Sequence, residues 1–252
     1  MNYIILAYHR VLPLKEAINQ GALSVTIENF RWQLQHFIRK GWISLTLSEF
    51  YEKYVAVGKV PYNVFVVTFD DGYEDNYFYA FPVLKEFDVK ATIFLTYDFL
   101  FNHKQRTTQF SKIHKALSIQ EIREMHDEKI EFGSHTVTHP HLTSVPQAKA
   151  QEEVYQSRLL LEEILQLPIE SFCYPYGDTN EEVISYVREA GYKVGVVTPP
   201  RVGVPVSQYT LRRIGVYLTT SKIKFLFKCT SLYYRIREHA IKNNAETFWA
   251  KK

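Results

Sequence analysis

An apolar run at residues 64–69, Val-Phe-Val-Val-Thr-Phe, ends in two adjacent acids and a glycine, Asp70, Asp71 and Gly72. Neighbouring carboxylates repel each other and each resists leaving water, so a buried strand with that tip needs a positive partner. Further along, Ser134-His135-Thr136-Val137-Thr138-His139 supplies two imidazoles directly after another predicted strand at 130–133. One carboxylate and two imidazoles are a common ligand set for zinc, and three protein ligands leave a coordination position open for water, as catalytic sites require. Only one of the two aspartates need bind the ion; the other can then take a proton from the water. His141 follows closely enough to rival His135 and His139 as a ligand.

Such a set needs strand ends brought to one place. Short apolar, β-rich runs predict strands at 4–8, 64–69, 91–96, 130–133, 172–174, 194–198 and 213–217. Helical spacing separates several of them. Thr26 opens a helix through Ile27, Phe30, Leu34, Phe37 and Ile38 that Gly41 stops, and others fall at 77–87, 118–127, 146–166 and 179–190. Pro82 demands a boundary or a kink in the first of these. Alternation of this kind argues for parallel strands joined by helical crossovers, and seven strands come close to a closed barrel. The Lys/His-rich stretch at 101–117 reads as a surface excursion.

Composition sets the outer bounds. With 252 residues, 46% hydrophobic and 15% aromatic, the chain can bury a sizeable core as one domain. A formal charge of +3 gives no overall footprint for nucleic acid. Cys173 and Cys229 lie too far apart in sequence for a C-x-x-C pair and support no disulfide framework. The start, Met1 to Pro13, lacks a basic n-region and its apolar run is short, so it reads as a first strand rather than a signal peptide. No window reaches the roughly 18 apolar residues of a membrane span. A cytoplasmic location is therefore expected. Beyond residue 218, Ile223, Leu226, Phe227, Tyr234 and Ile241 alternate with Lys222, Lys224, Lys228, Arg235 and Arg237, a basic amphipathic pattern. It suits a helix packed on the barrel or one lying at a membrane surface.

Three ordered motifs, Thr68-Phe-Asp-Asp-Gly72, Ser134 to His139 and Tyr174-Pro-Tyr-Gly177, resemble those of the NodB-homology polysaccharide deacetylases, carbohydrate esterase family 4. The resemblance extends over roughly residues 3–217. It implies a distorted (β/α)7 barrel over residues 1–218, with 219–252 as the added basic helix. It also implies Asp70 as the catalytic base and Asp71, His135 and His139 as ligands of Zn2+ or of Co2+, Ni2+ or Fe2+. The Tyr176 backbone N–H would be the oxyanion donor.

Two positions depart from the usual pattern. Cys173 stands where an arginine normally tethers the base, and no Leu-x-His occurs late in the chain. The branch acting on poly-N-acetylglucosamine is similar in both respects and takes its histidine from an N-terminal Tyr-His, here Tyr8-His9. By that resemblance His9 is the general acid. Arg213, or alternatively Arg212, replaces the missing tether. The expected reaction is removal of an N-acetyl group from an amino sugar in a polysaccharide, lipopolysaccharide or glycolipid precursor. A carbohydrate-binding pseudoenzyme, or an amidase or deformylase on another substrate, is the alternative. The oligomeric state is left open.

Overall fold

The computed structural model describes residues 3–59, 61–101, 115–199 and 204–242. In chain order the strands are β1 (Tyr3–Tyr8), β2 (Arg10–Leu12), β3 (Ser24–Thr26), β4 (Ile43–Leu45), β5 (Val64–Phe69) and β6 (Ala91–Leu95). They continue with β7 (Ile130–Ser134), β8 (Ser171–Cys173), β9 (Val194–Val197), β10 (Leu211–Arg212) and β11 (Ile214–Gly215). The helices are α1 (Leu14–Gln20), α2 (Ile27–Ile38), α3 (Leu47–Phe50), α4 (Phe81–Glu86) and α5 (Tyr97–Phe101). After them come α6 (Ile119–Asp127), α7 (Gln147–Leu165), α8 (Glu181–Glu189), α9 (Lys222–Lys228) and α10 (Ser231–Lys242).

A parallel ring runs β1-β5-β6-β7-β8-β9, and the segment 211–215 closes it. Its first half pairs with β9 (Leu211↔Val196, Arg212↔Val197) and its second half with β1 (Leu6↔Ile214, Ala7↔Gly215). Arg213 is the residue at which the segment changes partner. The sequence predicts a seventh strand at 213–217; the observed one starts earlier and splits into two short pieces because it must serve both neighbours. The seam between β7 and β8 is the narrowest, with the single pair Ser134↔Phe172. This is the nearly closed parallel barrel that the strand–helix alternation predicts, of the (β/α)7 kind that the resemblance implies.

Strand alternation sorts the apolar residues into two layers. Ile5, Val64, Val66, Phe94, Val194 and Val196 form a smaller cluster inside the ring, with Leu45, Leu47 and Phe50 beside it. Their strand neighbours Ile4, Leu6, Phe65, Val67, Ile93 and Leu95 belong to a larger cluster beneath the helices. β4 adds to the edge of β5 through Ile43↔Val64 to Leu45↔Val66, before β6 takes over at Val67↔Ala91.

Local sequence explains the helix starts. Thr26 accepts a hydrogen bond from Asn29 N to cap α2, and Ser118 and Glu121 form a capping box at α6. The helix expected at 77–87 is a π-helical turn, Asn76–Ala80, followed by α4 with Pro82 in its first turn, where the missing N–H costs nothing. The expected excursion at 101–117 falls mostly outside the described residues. At its return Lys115 is exposed and Leu117 is buried; Tyr73 bridges Ala116, and Leu117 N donates to Gly72 O.

The expected C-terminal helix is two helices broken at Cys229–Thr230, where Thr230 Oγ1 accepts from Tyr233 N. Both grip the closing segment. Lys228 Nζ donates to Gly215 O, Tyr234 hydroxyl to Arg212 O and Arg237 Nη1 to Arg213 O. Ile223, Leu226, Phe227, Leu232 and Ile236 face outward, and the side chain of Ile241 lies outside the described residues. Among the described residues no helix is long and apolar enough to cross a membrane.

Burial, with help from Lys224 and Arg237, lowers Lys228 from 10.5 to about 8. A base whose folded value is depressed contributes stability that is present above its unfolded value and lost as pH falls through the folded one. Stability should therefore rise between about pH 8 and 10.5 by on the order of 1–3 kcal/mol from this group. Chemical denaturation of Lys228→Met across that range is expected to lack the increment.

Candidate active site

β5 carries Asp70 and Asp71 to the C-terminal mouth of the ring, where Asp70 N donates to Tyr8 O at 3.0 Å. The chain then turns sharply: Asp71 and Gly72 have φ of 76° and 81°. The positive φ favours glycine at position 72, where a Cβ would also meet the Leu95 Cδ2 methyl at 2.8 Å. The turn separates the two carboxylates and gives them different partners.

Asp70 faces Arg213. The guanidinium is 1% exposed and makes a bidentate pair with it, Nη1 to Oδ1 at 2.6 Å and Nη2 to Oδ2 at 2.7 Å. Its remaining N–H groups donate to Thr68 Oγ1 (2.9 Å), Thr198 Oγ1 (3.0 Å) and Cys173 Sγ (3.1 Å). All five guanidinium donors are thus used. Burial alone would raise the Asp70 carboxyl; the charge and hydrogen bonds of Arg213 overcome this and hold it well below the usual carboxylate range. Arg212 points elsewhere, donating to Val204 O and pairing with Glu238. Of the two candidate tethers, only Arg213 reaches the base.

Asp71 faces the histidines. Its Oδ1 lies 3.7 Å from His135 Nε2 and 3.5 Å from His139 Nε2, and the two ring nitrogens are 3.1 Å apart. His135 Nδ1 donates to Cys173 O at 2.7 Å, continuing the β7–β8 seam where backbone pairing stops. That bond fixes the tautomer and turns the Nε2 lone pair toward Asp71 and His139. Burial, reinforced by His139, lowers His135 to about 3, and burial lowers His139 to about 4. Burial, with repulsion from Asp70, raises Asp71 to about 6 despite His9. Near neutral pH a carboxylate and two uncharged imidazoles therefore converge, with the Nε2 lone pair of His135 facing the other two groups.

The donor spacing suits an ion. Tetrahedral coordination at about 2.0–2.2 Å separates donor atoms by roughly 3.3–3.6 Å, close to the three distances here. The residues fit a divalent metal such as zinc. His141 is not part of this group: its ring stacks on Tyr176 at 3.9 Å, and its Nδ1 is 4.0 Å from Asp178 Oδ2.

His9, between β1 and β2, places Nε2 3.9 Å from Asp70 Oδ2, while its Nδ1 is buried without a hydrogen-bond partner among the described residues. Tyr176 has φ 58° and ψ 11°, a left-handed residue within the turn Pro175–Gly177, and its ring meets that of His139 at 4.7 Å. A Cβ on Gly177 would fall 2.0 Å from Pro199 O, which fixes how closely this turn packs.

Several contributors escaped sequence reasoning. Cys173, read only as a missing arginine, touches both Arg213 and Asp70 Oδ1, the latter at 3.5 Å. Tyr73 hydrogen-bonds Asp71. Glu153 belongs to no motif, although an acid at the core-facing spacing of Ala150, Val154, Ser157 and Leu161 is a visible anomaly.

A seven-stave parallel barrel with an Arg-held carboxylate beside an Asp-His-His cluster has the layout of a hydrolase site. Residues 58–195 match the polysaccharide deacetylase family, and the chain belongs to it. A poly-β-1,6-N-acetyl-D-glucosamine N-deacetylase from Staphylococcus epidermidis is 30% identical over 231 residues, covering 84% of this chain and 78% of the relative. The Streptococcus pyogenes deacetylase PplD, solved in complex with acetate, superposes with a TM-score of 0.76 at 26% identity over 91% of this chain and 99% of that one. IcaB from Ammonifex degensii shares the fold at 24% identity, with a TM-score of 0.72 over 89% and 94% of the two chains.

Proposed function

We propose that this chain is a metal-dependent N-deacetylase that hydrolyses the N-acetyl group of an N-acetylglucosamine-type sugar in a polysaccharide, lipopolysaccharide or glycolipid precursor and releases acetate. The observation that carries the reading is the ion-sized convergence of Asp71, His135 and His139 beside an Asp70 reserved by Arg213. The name of the S. epidermidis relative and the acetate bound to PplD support the substrate class and the product.

Asp71, His135 and His139 would hold Zn2+, or Co2+, Ni2+ or Fe2+. A divalent ion there supplies a Lewis acid that polarises a carbonyl and acidifies water. Asp70 accepts the proton of the attacking water. Held ionised by Arg213, it is a weak base, suited to a nucleophile whose acidity has already been raised. The Tyr176 N–H, turned by its left-handed backbone, donates to the oxyanion that develops on the acetyl carbonyl; one such donor is worth on the order of 3 kcal/mol. His9 gives a proton to the departing amine, which is otherwise a poor leaving group.

Incubation with N-acetylglucosamine oligomers, β-1,6-linked ones included, is expected to release acetate in a manner abolished by chelation and restored by zinc. Zinc-loaded protein that binds such oligomers without releasing acetate would instead mark a carbohydrate-binding pseudoenzyme. Acetate release unaffected by exhaustive chelation would reject metal dependence.

A further inference from the structure

We infer that Glu153 is a positioning residue for metal binding: from α7 it holds the loop between the two histidine ligands and so sets the place of His139. This rests on the proposed metal site. Glu153 is fully buried, yet it belongs to a helix whose other inward residues are Ala150, Val154, Ser157, Leu161 and Leu165. Its Oε2 accepts from Val137 N at 2.9 Å and Thr138 N at 2.8 Å, and its Oε1 accepts from the Thr138 hydroxyl at 2.7 Å. Lys149 Nζ stands 3.3 Å from Oε1 and offsets the buried charge.

The loop needs such a clamp. Thr136 and His139 both lie in the left-handed region, with φ of 70° and 60°, a conformation that non-glycine residues hold only when their surroundings enforce it. Its carbonyls are taken by α5, through Tyr97 N to Thr136 O and Asp98 N to Val137 O. The Val137 and Thr138 N–H groups point the other way and find Glu153 there. His135 is held independently, by Leu95 O on its N–H and Cys173 O on its Nδ1. Glu153 therefore acts on one arm of the ligand set, and its loss should loosen the grip on metal while leaving the barrel folded.

The test is zinc affinity, measured by competition with a chromophoric chelator, alongside melting of the metal-free protein. Glu153→Met keeps the side-chain length and removes every acceptor. It is expected to weaken zinc binding about 10–100-fold, with kcat returning close to wild type at saturating zinc. Glu153→Gln retains a carbonyl oxygen for the two N–H groups and is expected to recover most of the affinity, a graded rescue that a volume-filling role would not produce. If Glu153→Met does not fold, Thr138→Val, which removes the hydroxyl bond alone, is expected to weaken zinc binding several-fold.

Wild-type zinc affinity in Glu153→Met, or in Thr138→Val where that variant decides, overturns the inference. Asp71→Asn separates this from failure of the parent reading. Zinc binding that Asp71→Asn abolishes but Glu153→Met leaves unchanged sinks the role of Glu153 alone. A wild-type protein that takes up no zinc sinks both.

Discussion

Asp70→Asn is expected to lower the rate of acetate release by about 10²–10⁴-fold while zinc remains bound. Asp71→Asn is expected to lose both. The two residues are adjacent in sequence and nearly isosteric with their replacements, so the contrast isolates what each carboxylate does. Asp70 has both oxygens on Arg213, and its nearer histidine is His9 at 3.9 Å. An amide in place of the Asp70 carboxylate would still fill the space and accept from the guanidinium through its one oxygen, but it would set an NH2 against the second guanidinium N–H and have no means of taking a proton. Asp71 has its Oδ1 within 3.7 Å of both His135 and His139, and an amide there would set a neutral, weaker donor against an ion held by the three residues as proposed. Metal content by elemental analysis, measured beside acetate release, reads both outcomes, and far-UV circular dichroism confirms that each variant folds. A near-wild-type rate for Asp70→Asn would remove it as the base.

Arg213→Met is expected to cost about 3–5 kcal/mol of stability, because removing one partner of a buried ion pair strands the other. Lysine should rescue little of this, since an ammonium offers three donors in place of a planar fork of five. The pH dependence should also reverse. In the wild type the folded Asp70 value is depressed, so the pair contributes stability that is present above the ordinary carboxylate range and lost on acidification through the folded value. Without Arg213, burial dominates and raises the carboxyl. The variant should then lose stability as pH rises through the raised value, and the acid limb of its activity should move toward neutrality. Denaturation at pH 5 and pH 8 reads the sign directly. Equal losses at both pH values would place the energetics elsewhere than in this pair.

Much of this architecture could be read from the amino acids. Runs such as 64–69 and 194–198 are β-branched, aromatic and long enough to show a pattern, and they mark staves of the barrel to within a residue. β2, β3 and β4 are three residues each, too short for any period to appear. The split of 211–215 was invisible because its partners are set by closure of the ring rather than by local pattern. Arg212 and Arg213 are the same residue type side by side, and only the register against β9 and β1 decides which one turns inward. The break at Cys229–Thr230 carries no proline or glycine; it is a threonine cap, readable only once the two helices are seen to grip the same segment. The site motifs could be read because metal chemistry restricts residue type. Supports such as Glu153, Tyr73 and Cys173 could not, since many residue types can brace a loop.

Closure by residues 211–215 ties chemistry to the order in which the chain is made. Leu6 and Ala7 find their partners only when Ile214 and Gly215 have emerged, a separation that spans most of the polypeptide and makes this the most non-local pairing in the barrel. The guanidinium that keeps Asp70 charged arrives with the same few residues. A nascent chain that has not reached residue 213 possesses every histidine and aspartate of the site and lacks the guanidinium that pairs with Asp70. Maturation of the enzyme is, in that sense, the docking of its last strand.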